Sequence, residues 1–197
     1  MESYQAEIAA AAARLVVEEG LDYGAAKRRA VKQLGAAGRG GLPDNHEVEA
    51  AVEEYIALFC ADTQPHELRA LRELALHWMQ RLARFQPHLG GAVWRGTATR
   101  RSDIYLQLFC EDSKAAEIAL IDMGIRFEVR SVPGFHGELV DALSVHARCV
   151  PLQENIGVHL LVYDKDDIRG ALQPDDRGRS PRGDTAALQR LMDNAAP

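Results

Sequence analysis

Residues 90–109 read GGAVWRGTATRRSDIYLQLF, and this stretch decides the fold. Residues 90–95 are short and β-compatible. Gly96 and Thr97 then make a turn, where a residue without a Cβ lets the chain bend tightly. A basic loop carrying Arg100 and Arg101 follows. Ser102 and Asp103 open the run 104–109, whose isoleucine, tyrosine, leucines and phenylalanine predict a strand. The stretch therefore reads as strand, glycine turn, basic loop and second strand, with a carboxylate at the start of the second strand. A glycine after a strand lets a phosphate come close to the backbone. A carboxylate beside it can hold a divalent metal against that phosphate. Arg95, Arg100 and Arg101 can neutralise phosphate oxygens. The plainer roles of the same residues are turn formation, a cap from Asp103 behind Ser102, and solvated loop charge.

Downstream, Ser113 caps a helix to about residue 123, and Gly124 ends it. Residues 126–132 alternate as a strand does, and 139–145 and 158–163 predict two more. From Asp164 the chain is polar, with Pro174, Gly178, Pro181 and Gly183, before a short helix at about 185–192. Upstream, apolar Ile8, Ala12, Leu15 and Val16 recur at helical spacing over 3–19, and Gly20 closes that helix. Asp22 caps a helix over 23–34 that Gly35 closes. Residues 36–43 (AAGRGGLP) read as a loop. Asp44 or Asn45 caps a third helix over 45–61, with Val48, Val52, Ile56 and Phe59 on one face. A fourth follows Thr63-Gln64-Pro65, runs to about residue 84, and is stopped by Pro87. The expected fold is α+β, with about four helices over 1–87 and a small strand-rich domain with flanking helices and a polar C-terminal tail over 88–197.

The chain has 197 residues, 47% apolar and 26% charged, which is globular composition. No apolar run approaches the roughly 18–20 residues of a membrane span, and no secretory leader is evident, so the expected setting is cytoplasmic without membrane insertion. Three cysteines are too few and too scattered for a disulfide framework or a zinc ribbon, in keeping with a reducing compartment. The net charge of −6 disfavours a broad cationic surface for nucleic acid. Lys27, Arg28, Arg29 and Lys32 do cluster on the second helix, where a DNA-associated role competes with a solvated face. No phosphate-binding loop of the GxxxxGK[ST] type and no GxSxG elbow is present. His136, His146 and His159 lack partners at zinc-ligand spacing.

The run Gly96-Thr97-Ala98, with Ser102-Asp103-Ile104 following, resembles the signature of the nucleotidyltransferase fold, the DNA polymerase β superfamily. The resemblance covers roughly residues 88–163 and implies a mixed sheet. It also implies magnesium held by Asp103, and nucleotide or phosphate contacts from Gly96, Thr97, Ser102, Arg100 and Arg101. The family's second carboxylate falls at Tyr105, and a neutral phenol is a poor magnesium ligand. The third is Asp141, or else its position on 158–162 is held by His159. The glycine turn is Gly96-Thr97, or Gly91-Ala92, which leaves a gap to Asp103 closer to the family's. With Asp103 and Asp141 as the catalytic pair, the resemblance implies a nucleotide-binding protein whose transferase activity is weak or lost. A non-catalytic binding or regulatory module is the competing reading. The expected ligand is a nucleotide or other phosphate-bearing small molecule, with a protein partner or self-association left open.

Overall fold

The computed structural model describes residues 2–35 and 41–195, so 36–40 of the expected loop 36–43 lie outside the described residues. The chain forms two compact units, one of residues 1–67 with 97–102, the other of residues 68–96 with 103–197. The division between these units falls inside the fourth helix. Residues 97–102 belong with the helices.

The helical unit contains α1 (Glu2–Glu19), α2 (Tyr23–Gln33) and α3 (Asn45–Phe59). Asp22 starts α2 by accepting from the Ala25 amide at 2.8 Å. Asp44 and Glu47 form a reciprocal capping box at α3. Ile8, Leu15, Val48 and Val52 fill the core, and the fully buried Ala12, Ala26 and Ala30 keep the helices close. Ile56 packs at the core's margin, but Phe59, expected on the same inward face, is 70% exposed. The segment 97–102 is fastened by polar groups. Gln64 donates its side-chain amide to the Ala98 carbonyl at 2.8 Å, and the Arg100 amide donates to Glu67 at 2.9 Å. Gly20 has φ +72°, and a Cβ there would lie 2.6 Å from the Arg101 carbonyl oxygen, so glycine is required both to end α1 and to admit this segment.

The second unit holds most of α4 (Gln64–Arg81), β1 (His88–Gly90), α5 (Gly91–Arg95), β2 (Ile104–Cys110), α6 (Ala115–Asp122), β3 (Glu128–Pro133), β4 (Leu139–Cys149), β5 (Glu154–Asp164), α7 (Ile168–Ala171) and α8 (Thr185–Asn194). The strands form a five-stranded mixed sheet in the order β1-β2-β5-β4-β3. Only β2 and β5 run parallel. Residues 90–95 do not continue a strand as their composition predicts: β1 ends at Gly90, and 91–95 form the short α5.

Strand parity sorts the sheet into two unlike faces. One carries Ile104, Leu106, Leu108, Leu143, Val158 and Leu160, all fully buried. The other is divided along its length. At one end Phe109, Tyr163 and Val140 pack with Ala171, and Phe135 stacks on Tyr163 at 3.9 Å. At the other end it carries polar side chains, among them Asp103 and His159.

The thiols follow their surroundings. Cys110, at the end of β2, is buried, and burial pushes its pKa up to about 11. At pH 8 only about one such thiol in a thousand is ionised, and the thiolate is the reactive form. Burial raises the half-buried Cys60 as well, but its sulfur is more accessible. Iodoacetamide at pH 8 is expected to label Cys60 first and Cys110 only on unfolding, as peptide mass mapping will show. Equal native labelling rates at the two sites would contradict this ordering.

Candidate functional site

The polar end of the divided face is built by register. Tyr105 on β2 pairs with His159 on β5, and His159 pairs with Ser144 on β4. Directly paired residues share a face, and Asp103, two residues before Tyr105, shares it too. The resulting chain is continuous. Gly157 donates its amide to Asp103 Oδ1 at 3.2 Å. Asp103 Oδ2 lies 2.9 Å from His159 Nε2, and His159 Nδ1 lies 2.8 Å from Ser144 Oγ. In the neutral imidazole that bonds Asp103 through Nε2–H, Nδ1 accepts from the Ser144 hydroxyl. The Tyr105 ring stacks on the His159 ring with centroids 4.9 Å apart. The site is partly open, with the Asp103 side chain 44% exposed and that of His159 24%.

Glycines give these side chains room. A Cβ on Gly157 would fall 2.8 Å from Asp103 Cγ, so the carboxylate lies directly over that backbone. Gly90 pairs with Tyr105, and Gly91, at φ +70°, borders the Tyr105 ring. Of the two glycine turns open in the sequence, it is Gly91-Ala92, through Gly91, that borders this cluster. Gly96 instead ends α5 at φ +92°, its amide bonded to the Ala92 carbonyl.

The other expected site residues are placed as follows. Thr97 is buried, and among the described residues its Oγ1 has no hydrogen-bond partner. Ser102 Oγ accepts from the Thr99 amide at 3.0 Å, a local turn bond. Arg100 and Arg101 are exposed on the segment of the helical unit. Asp141 is not brought to Asp103. It pairs with Val162, whereas Asp103 sits at Gly157, about 16 Å away along β5. Odd spacing from Ser144 also turns Asp141 to the opposite face, where Lys114 Nζ lies 3.8 Å from it. Of the two positions considered for a third carboxylate, the one beside Asp103 is His159. The basic cluster of α2 is partly engaged, since Lys27 donates to the Pro43 carbonyl and Asn45, and Arg29 pairs with Glu19.

This arrangement constrains the chemistry. Magnesium requires several hard oxygen ligands in near-octahedral order. Asp103 already accepts from Gly157 and bonds His159, and the face around it carries a phenol, the imidazoles of His159 and His146 and the Ser144 hydroxyl, with Glu128 one strand further on. Among the described residues no group of three His, Cys, Asp or Glu side chains is placed to hold an ion. The donor set does not fit magnesium. A serine hydroxyl on an imidazole backed by a carboxylate has the connectivity that activates a nucleophile. Acyl transfer also needs free donors for the developing oxyanion. The amides around Ser144 are committed to ladders, because β4 is flanked by β3 and β5. The cluster thus has the connectivity of an activated serine without free backbone donors beside it on β4.

Sequence reasoning did not assign Ser144 or Gly157 to the site. Their signal was parity alone: lone polar or small residues within apolar strands become neighbours only once the register is known. The chain matches no family model, and no curated protein or solved structure matches it. Among the described residues no helix is long and apolar enough to cross a membrane.

Proposed function

We propose that this chain is a nucleotidyltransferase-like protein that binds a nucleotide or another phosphate-bearing small molecule, with transferase chemistry weak or lost. One observation carries the reading. The β1–α5 junction at Gly90 and Gly91, the exposed Tyr105 ring and the Asp103–His159–Ser144 chain lie together at one half-open end of a sheet face. Such a surface offers backbone approach, an aromatic plate, a hydroxyl and an imidazole. The Asp103 carboxylate, which would repel an anion, is turned to hydrogen bonds with the Gly157 amide and His159.

Titration calorimetry with ATP and GTP tests the reading. Saturable binding with a dissociation constant below about 1 mM, or about −4 kcal/mol, is expected. Because the donor set suits no magnesium ion, binding is expected to persist in EDTA. Asp103→Ala releases His159 and is expected to weaken binding about tenfold. Absence of saturable heat for either nucleotide would remove the proposal. Binding that requires magnesium and disappears in Asp103→Ala would restore the metal-dependent transferase in its place.

A further inference from the structure

The sheet's two edges are treated differently. At β1 the edge is covered, because Leu89 and Gly183 exchange both backbone hydrogen bonds, at 2.8 and 3.0 Å. At β3 the outer edge has no strand beside it among the described residues. The hairpin bond from the Gly134 amide to the Glu138 carbonyl fixes which β3 groups face inward. By alternation, Glu128, Arg130 and Val132 bond toward β4, and Val129, Ser131 and Pro133 present their backbone outward.

We propose that β3 is a self-association edge, on which a second copy of this chain adds its own β3 antiparallel across a two-fold axis through Val129. Three symmetric registers can be compared. Centring on Arg130 puts two arginines directly opposite each other, which is repulsive. Centring on Ser131 places Val129 opposite Pro133, which has no N–H to give. Centring on Val129 avoids both. Val129 exchanges two backbone bonds with its copy, and Ser131 bonds toward residue 127 of the second copy. Glu128 and Arg130 then face each other twice across the non-hydrogen-bonded positions, where side chains come closest. The exposed side chains fit: Glu128 and Arg130 are 68% and 73% exposed and already within 3.4 Å of each other on one face. Val129, on the other face, is 48% exposed and meets its own copy. Charge and proline commonly protect edges from pairing. Here opposite charges two residues apart, with a proline at one end, select one register rather than excluding all. The dimer extends the sheet across the axis and does not depend on the binding site proposed above.

Sedimentation of the full chain across concentrations gives the test. A monomer–dimer equilibrium is expected. Glu128→Arg sets arginines against each other twice and is expected to raise the dimer dissociation constant at least about tenfold. The double exchange Glu128→Arg with Arg130→Glu restores opposite charges and is expected to return it to within about threefold of the native value. Ser131→Pro removes only an outward amide and is expected to abolish the dimer without changing the monomer's circular dichroism. A chain that stays monomeric to about 1 mM overturns the proposal. So does a dimer indifferent to Glu128→Arg and Ser131→Pro, or a double exchange no better than the single one.

Discussion

Gly157→Ala is expected to lower the thermal midpoint by several degrees and to break the Asp103–His159 contact. The added methyl would lie 2.8–2.9 Å from all three atoms of the Asp103 carboxyl group, closer than carbon approaches such atoms. Asp103 is short and cannot swing its end clear as a lysine could. Either the carboxylate leaves Gly157 and His159, or β2 and β5 separate where their pairing begins. The first course forfeits two hydrogen bonds, both to the same carboxylate, at a cost of about 2–3 kcal/mol. For a chain of this size that corresponds to roughly 4–12 °C. A double-mutant cycle isolates the cause. With Asp103→Ala already present the methyl meets no carboxylate, so Gly157→Ala is expected to cost less than about 1 kcal/mol in that background. Additive losses in the cycle would show that the glycine serves the strand backbone instead. Nitrogen-15 NMR of the imidazole supplies a second readout, since the His159 ring resonances should shift in either single variant.

That glycine also shows what a single sequence can and cannot reveal. The α+β order was legible because its signals are local. Asp22 and Asp44 cap helices in the way their position before apolar-periodic runs predicts, and 104–109 becomes β2 because its residues favour a strand. The candidate site was legible at Asp103, at Gly91 as one of two glycine turns and, as positions, at Tyr105 and His159. Asp141 looked equivalent to any other strand carboxylate. Its pairing with Val162 turned it to the wrong face, and a one-residue change of register reverses every such assignment. The turn Gly96-Thr97 looked like a ligand loop because glycine and threonine suit turns of both kinds. The structure uses Gly96 as a helix end and buries Thr97.

Residues 90–95 were misread for a different reason, and Arg72 shows why. Val93 and Trp94 favour strands, yet they lie in α5, a helix too short to be stable by propensity alone. Its last carbonyls lack helical partners. Arg72, 7% exposed on α4, donates Nε to the Val93 carbonyl at 3.0 Å and Nη2 to the Trp94 carbonyl at 3.1 Å. Burial lowers the guanidinium's pKa, but its ordinary value is high enough to keep the charge. The helix is therefore held by a side chain some twenty positions away, which no local propensity reports. Arg72→Met keeps much of the bulk and removes both donors, leaving two carbonyls at the end of α5 unpaired. The expected loss is about 2–4 kcal/mol, measurable by urea denaturation. Arg72→Lys keeps a charge but replaces a planar fork with a point donor, and is expected to recover no more than about half of that. The two variants separate geometry from charge: if lysine restores full stability, the fork is not what holds α5. If methionine costs less than about 1 kcal/mol, the helix is held by the positive-φ glycines at its two ends, Gly91 and Gly96, and not by Arg72.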